Sequence, residues 1–261
     1  MIAIEHGCFR YKHGAWILED LSFSLEGGKV MSILGPNGIG KTTLLKCMIG
    51  ILKWNSGHTV IDGKVWENPL ASKQIGYVPQ AHPVAFSYSV EELVIMGRAN
   101  SLPMFAVPAK SDWERAYQAM EEVGICDIAG RSCGQLSGGQ LQLAFIARAL
   151  AGDPKILILD EPESHLDFKN QFLILNLIQK LVAERGISCI LNTHYPEHAL
   201  RIADKTLLLG RGRHLFGDTG QIISQENMNA FFDIQAKILD FDEDGFGGKA
   251  FVVVDSLPPQ G

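Results

Sequence analysis

The chain has 261 residues, with 23 Lys and Arg against 29 Asp and Glu, for a formal charge of −6. At 46% hydrophobic and 20% charged it can bury a sizeable core, which excludes a disordered chain. The acidic balance argues against a nucleic-acid backbone as partner, because phosphate binding takes a concentrated basic face and the tightest basic group is Arg211 with Arg213.

The first segment reads as strands: Ile2, Ile4, Trp16, Leu18, Leu21, Phe23 and Leu25 alternate with polar residues. A turn at Glu26 to Lys29 leads to the apolar run Val30 to Leu34, which predicts a buried strand. Leu44, Leu45, Met48 and Ile49 predict a helix from Thr42 to Ile49. Strands are expected at His58 to Ile61 and Ile75 to Val78, around a turn at Asp62-Gly63.

From about 86 to 151 helix signals dominate. Ser89 with Glu92, and Ser111 with Glu114, fit the capping box. Trp113, Ala116, Tyr117 and Met120 predict one apolar helix face that ends at Gly124, and Leu102 to Pro108 a loop. A third helix is expected from Ser137 to Gly152, with Pro154 just beyond. This stretch reads as a helical lobe of about 86–151 inserted into an α/β core of 1–85 and 152–222.

The run Ile156 to Leu159 predicts a central parallel strand. A helix over Phe168 to Glu184, a strand over Ile187 to Asn192, a helix over Pro196 to Ala203 and a strand over Thr206 to Leu209 continue the alternation. That order argues for a mainly parallel, helix-covered sheet. The tail, 223–261, carries a short amphipathic segment, then Ile234 to Phe241 and Lys249 to Val254 around a turn. No window of ~18 residues is predominantly apolar, so no bilayer-spanning helix is expected. The N-terminus lacks the uninterrupted apolar core of a signal peptide. The five cysteines (Cys8, Cys47, Cys126, Cys133, Cys189) are scattered, and are expected to be reduced, mostly buried thiols in a cytosolic protein.

Three motifs carry chemistry. Gly35-Pro36-Asn37-Gly38-Ile39-Gly40-Lys41-Thr42 matches G-x-x-x-x-G-K-[ST] between a strand and a helix. Its amides and the helix dipole suit a phosphate, Lys41 would reach the β- and γ-phosphates of ATP, and the Thr42 hydroxyl would ligate Mg²⁺. Leu136-Ser137-Gly138-Gly139-Gln140 opens a predicted helix, with Ser137 as its cap. Asp160 and Glu161 close an apolar strand, Asp160 placed to hold Mg²⁺ and Glu161 to polarise an attacking water.

In their order these motifs resemble the ATP-binding-cassette (ABC) family of transport ATPases over roughly residues 2–220. Walker A falls at Gly35 to Thr43, the signature at Leu136 to Gln140 and Walker B at Leu157 to Glu161. Tyr77-Val78-Pro79-Gln80 is similar to the family's Q-loop, with Gln80 a Mg²⁺ and water ligand. Ser164 to Asp167 resembles the D-loop, Asn192-Thr193-His194 the switch-histidine strand end, and Tyr11 the adenine-stacking aromatic. The resemblance implies a P-loop ABC-cassette α/β fold, with a mainly parallel core sheet, antiparallel N-terminal strands and an inserted helical lobe.

Glu163 and Leu141 depart from the family pattern, where Thr and Arg or Gln are frequent. Neither carries the chemistry, but they put D-loop geometry and signature-helix contacts in question. Two other strings are decoys. His194-Tyr195-Pro196-Glu197-His198 reads as the zinc string H-x-x-E-H, but Pro196 belongs at a helix start and leaves His194 on the strand side. Asp240 to Gly245 copies half a calcium loop, yet position twelve would be Phe251.

The resemblance further implies a homodimer that sandwiches two ATPs, with Ser137, Gly138, Gly139, Gln140 and Asp167 of one copy completing the site of the other. The stretch Ser87 to Arg98 and the C-terminal strand pair resemble the subgroup driving uptake of iron–siderophore complexes, haem, cobalamin or molybdate. The expected setting is cytoplasmic, on the inner face of the membrane. There the groove near Gln80 takes a short helix from each polytopic permease subunit, and a substrate-binding protein acts indirectly. An exporter ATPase and a non-transport ABC ATPase are the alternatives. A small-molecule P-loop kinase would leave the signature unexplained.

Overall fold

Alternating burial in the N-terminal segment produces an antiparallel sheet. The computed structural model describes residues 1–12, 14–80, 88–103, 106–243 and 246–256. The chain divides into two compact units, Met1–Glu67 with Ile190–Gly261, and Asn68–Cys189.

In the first unit β1 (Ile2–Phe9) pairs with β2 (Leu18–Leu25), whose Leu18, Leu21, Phe23 and Leu25 turn inward as their spacing predicts. Trp16 lies before β2 rather than in it, 43% exposed under the Arg10 guanidinium. The five residues of β3 (Val30–Leu34) are all buried, and α1 (Lys41–Met48) follows. The next strands, β4 (Ser56–Ile61) and β5 (Lys64–Trp66), meet at the Asp62-Gly63 turn and give a sheet of order β2-β1-β4-β5. No local period marks β5, because three residues are too few to show one.

The second unit begins with β6 (Ile75–Val78). Its first helix, α2 (Val90–Ile95), carries the expected Ser89–Glu92 capping box. Ser87, in the motif stretch that precedes it, lies outside the described residues. The next helix, α3 (Lys110–Val123), departs from expectation: Ser111 is inside it, and the Asp112 carboxylate accepts the Ala109 N–H at 3.0 Å. The cap therefore falls two residues earlier than foreseen, at Ala109, with Asp112 in the place expected of Glu114. Ala116 and Met120 are buried as predicted, whereas Tyr117 is 44% exposed and its hydroxyl donates to Glu91. The helix ends at Gly124.

The signature helix α4 (Gly138–Ala151) starts at the Ser137 cap and stops at Gly152. It is followed by β7 (Ile156–Asp160), parallel to β6, then α5 (Phe168–Arg185). All five β7 residues are buried, as a strand covered on both faces requires. Each such Leu or Ile contributes about 1.5–3 kcal/mol.

The strand β8 (Ser188–Asn192) carries the chain from the second unit back into the first. There α6 (Pro196–Ile202) leads to β9 (Lys205–Gly210), parallel to β3, and β10 (Arg213–Asp218) folds back antiparallel on β9. Asp204 fastens the entry of β9 to β3, accepting both the Val30 N–H and the Lys29 ammonium at 2.9 Å. A buried hydroxyl chain, Ser32 to Thr206 to Thr219, holds the start of α7 (Thr219–Ile222).

The tail continues as α8 (Gln225–Phe232), β11 (Ile234–Glu243) and β12 (Phe246–Ser256), the last two an antiparallel pair. The tip of the acidic turn, at 244–245, lies outside the described residues. Met228, Phe231 and Ala236 of the tail share one buried cluster with Leu34, Ala199 and Leu208. Phe231 also lies under the Arg213 guanidinium. Phe231→Ala should therefore lower the unfolding free energy by about 3–5 kcal/mol in a urea titration. An unchanged midpoint would show that the tail is not part of this core.

Candidate functional site

The glycine-rich loop runs from the end of β3 into the first turn of α1. Gly40 sits at φ 109°, and a Cβ there would lie 2.5 Å from Ile17 Cγ2, so only glycine serves at this position. Lys41 is buried; its ammonium donates to the carbonyls of Gly35 at 2.6 Å and Pro36 at 3.1 Å, curling the loop over its own lysine. Thr42 and Thr43 are half-buried on the first helical turn, while Asn37 and Gly38 are exposed at the loop tip. The first turn of α1 leaves backbone amides without intrahelical partners, the arrangement that receives phosphate oxygens.

In the same unit the Thr193 N–H donates to the Ile33 carbonyl at 3.2 Å. His194, half-buried, is thereby brought beside the strand that feeds the loop. Tyr195 caps α6 and Pro196 is its first residue, so His194 precedes the helix and His198 lies on it. The two imidazoles do not share one helical face. Tyr11 is 50% exposed just past β1, with its ring edge-on to Phe9 at 5.0 Å.

The second unit gathers the acids. Asp160, 5% exposed at the end of β7, accepts the Tyr77 hydroxyl at 3.3 Å. Burial first, and then the Asp160 charge, push the Tyr77 pKa upward, so the phenol stays protonated and donates. Glu161 follows at φ 51°, a left-handed conformation costly for a residue with a Cβ. Its Oε2 accepts from Ser164 Oγ at 3.1 Å and Gln80 Nε2 at 3.5 Å. Gln80 and Glu161, separated by 81 residues, are thus brought together.

Beyond Glu161, Asp167 caps α5, accepting the Asn170 N–H at 2.8 Å. Gln171 reaches back to the carbonyls of Glu163 and Leu166 and ties down the turn between the acids and α5. Glu163 is 1% exposed, so the departure from the family pattern is a buried carboxylate. At the signature, Ser137 Oγ accepts the Gln140 N–H and Gln140 Oε1 accepts the Ser137 N–H. This capping box leaves Gly138 and Gly139 at the positive end of α4.

Tyr77 and Ser164 lie in the strings that resemble the Q-loop and the D-loop, but their contacts with Asp160 and Glu161, and the part played by Gln171, were not foreseen. Tyr77 meets Asp160 only because β6 and β7 pair with Tyr77 beside Ile158, a register no local spacing encodes. Ser164 lies three residues after Glu161, a spacing that a turn could have signalled.

The thiols follow burial. Burial pushes Cys47 and Cys189 up to about 12 from an ordinary value of 9.0. Such groups stay neutral at neutral pH, and their contribution to stability is lost as pH rises above 9. At pH 8 iodoacetamide should label the exposed Cys126 before Cys47 or Cys189. Equal labelling rates in the folded chain would contradict this burial.

Among the described residues no helix is long and apolar enough to cross a membrane. Residues 18–164 match the ABC transporter family. The chain is 37% identical over 233 residues to the molybdate import ATP-binding protein MolC of Haemophilus influenzae, spanning 89% of this chain and 88% of that one. Its fold is similar, at TM-score 0.88 and 34% identity, to an inward-facing ABC transporter classed as metal-chelate type, covering 97% of this chain and 96% of that one. It is also similar, at TM-score 0.71 and 27% identity, to a dimeric ATP-binding cassette captured after hydrolysis with ADP and phosphate, covering 82% of this chain and 98% of that one.

Proposed function

We propose, from the premise that this chain belongs to the ABC transporter family, that it is the ATP-hydrolysing subunit powering uptake of a metal-chelate or oxyanion cargo through a membrane permease. A relative at 37% identity is a molybdate import ATP-binding protein, and the similar structure is a transporter classed as metal-chelate type. The observation that carries the reading is a lysine-capped phosphate loop and an amide-presenting signature turn in one chain.

Each residue has a role in this reading. The loop Gly35, Pro36, Asn37, Gly38, Gly40, with Thr42 and Thr43, cradles the phosphates, and Lys41 exchanges its carbonyl partners for phosphate oxygens. Tyr11 stacks on the adenine. Glu161, oriented by Ser164 and Gln80, accepts a proton-side hydrogen bond from the attacking water. His194 holds a γ-phosphate oxygen. Thr42, Gln80 and Asp160 offer hydroxyl, amide and carboxylate oxygens, hard donors that fit Mg²⁺. When bound, Mg²⁺ supplies charge stabilisation at the phosphates.

In a homodimer, Ser137, Gly138, Gly139, Gln140 and Asp167 of one copy serve the nucleotide of the other. The nucleotide-binding core is taken as 1–85 and 152–222, the signature lobe as about 86–151, and 223–261 as a tail. The subunit works at the inner membrane face, with permease subunits bound near Gln80 and a substrate-binding protein acting through them.

Co-expression with a permease of the metal-chelate or molybdate import class tests the reading. The expected result is a detergent-stable complex whose ATP turnover exceeds that of the free subunit. Retention on ribosomes or DNA, with no permease bound, would sink it.

A further inference from the structure

The first turn of α5 presents a phenylalanine to solvent beside the signature. Phe168 is 81% exposed, and Phe172 and Leu173, one turn further on, are exposed as well. At positions i, i+4 and i+5 they make one apolar ridge rather than scattered single residues. The ridge adjoins the signature glycines. A Cβ on Gly138 would lie 3.3 Å from Leu166 Cδ2, and one on Gly139 2.8 Å from Asn170 Cγ, so the signature turn rests on the stretch 166–170. Asp167 fixes that stretch, accepting the backbone N–H of Asn170 at 2.8 Å and its side-chain N–H at 3.0 Å.

The first unit holds a cavity of about 480 Å³ beside the phosphate loop, lined in part by Pro36, Gly38, Ile39, Arg211, Ala230 and Phe231. Its floor is tightly packed. A Cβ on Gly35 would lie 2.6 Å from the Leu209 carbonyl, and one on Gly210 2.9 Å from the Phe231 ring. The wall opposite the loop comes from the tail. Arg213 fastens that wall, stacking its guanidinium 4.4 Å over Phe231 and donating to the Ala230 carbonyl. Arg211 is exposed and, among the described residues, has no ion pair. Asp233 also lines the cavity, which makes it a poor seat for a free anion. Apolar carbon on two walls with a guanidinium at the rim suits an aromatic ring.

We propose that Phe168 of one copy enters the cavity beside the phosphate loop of a second copy, its ring meeting the Arg211 guanidinium, so that the tail forms part of the closed homodimer. The inference rests on the homodimer of the functional reading above and adds a knob, its socket and a use for the tail. Continuity of surface carries it. In that reading Gly138 and Gly139 meet the nucleotide held by the other copy's phosphate loop. Phe168 projects from the stretch on which those glycines rest, and the cavity opens beside that loop. Seating the amides on the phosphates therefore brings the ridge against the loop and the tail. The ring is solvated in the separate subunit and buried on closure, so its apolar gain belongs to the ATP-bound dimer alone.

The test uses the full chain carrying Glu161→Gln, which should dimerise with ATP. Adding Phe168→Ser should weaken that dimer roughly tenfold or more in sedimentation-velocity titrations, with the monomer's affinity for ATP unchanged. Phe168→Tyr, which keeps the ring, should restore the dimer, and Arg211→Ala should weaken it severalfold. A crosslink reads the contact directly. With Cys126→Ser in both, Phe168→Cys chains mixed with Arg211→Cys chains should be joined by a short bismaleimide with ATP and not without it. Unchanged dimer affinity in Phe168→Ser, or no ATP-dependent crosslink, overturns the inference alone. A Glu161→Gln chain that stays monomeric with ATP overturns the homodimer reading and this inference together.

Discussion

Glu161→Gln should stop ATP turnover while leaving nucleotide binding intact. The carboxylate is held by Ser164 and Gln80 on a backbone at φ 51°. That strain persists only where the surroundings fix it, and here it aims an acid beyond the end of a buried strand. An amide keeps the shape but cannot accept a proton from water, so the rate should fall roughly a hundredfold or more. With hydrolysis blocked, ATP should accumulate on the protein and gel filtration should show a dimer. Persistent turnover, or a monomer with ATP bound, would remove Glu161 from the role given to it.

Lys41→Ala should act one step earlier, on binding. The buried ammonium has two loop carbonyls as partners, at 2.6 and 3.1 Å. Its removal takes away the charge that meets the phosphates and the brace that curls the loop. A charged hydrogen bond contributes about 1.5–3 kcal/mol, so ATP affinity should drop roughly tenfold to a hundredfold. The contrast between the two variants is diagnostic: Lys41→Ala should bind weakly, and Glu161→Gln should bind without turning over. Retained affinity in Lys41→Ala, measured by titration with fluorescent ATP, would contradict the phosphate role.

Where chemistry and local geometry coincide, the residues are legible in the chain itself. The phosphate loop requires glycine at Gly40 and lysine at the helix start, and both needs appear as a contiguous string. The Ser137–Gln140 and Ser89–Glu92 boxes each span four residues and form as their spacing implies. The Ser111–Glu114 box has the same spacing and does not form. Arg98, thirteen positions before Ser111, holds Asp112 and shifts the cap to Ala109. Local spacing cannot register a partner supplied by tertiary structure.

The same limit explains Tyr77 and Gly97. A tyrosine on a four-residue strand carries no mark of the aspartate 83 positions later that it meets through strand pairing. Gly97 reads as an interruption between helices, and only the packed carbonyl of Arg148 explains the missing side chain. Tyr117 errs the other way: its period places it on the apolar face, but its hydroxyl finds Glu91 at the surface. A polar handle on a large ring lets the residue sit at the boundary.

The most direct measurement of the central claim is vectorial transport in proteoliposomes. The subunit, its permease and their substrate-binding protein are reconstituted, ATP is supplied on the subunit's side, and metal content on the opposite side is followed for molybdate and for an iron–siderophore complex. One of these cargoes should move toward the ATP side at a rate that scales with hydrolysis, and Glu161→Gln should abolish both. Hydrolysis with no net movement of either cargo, or movement away from the ATP side, would contradict the account.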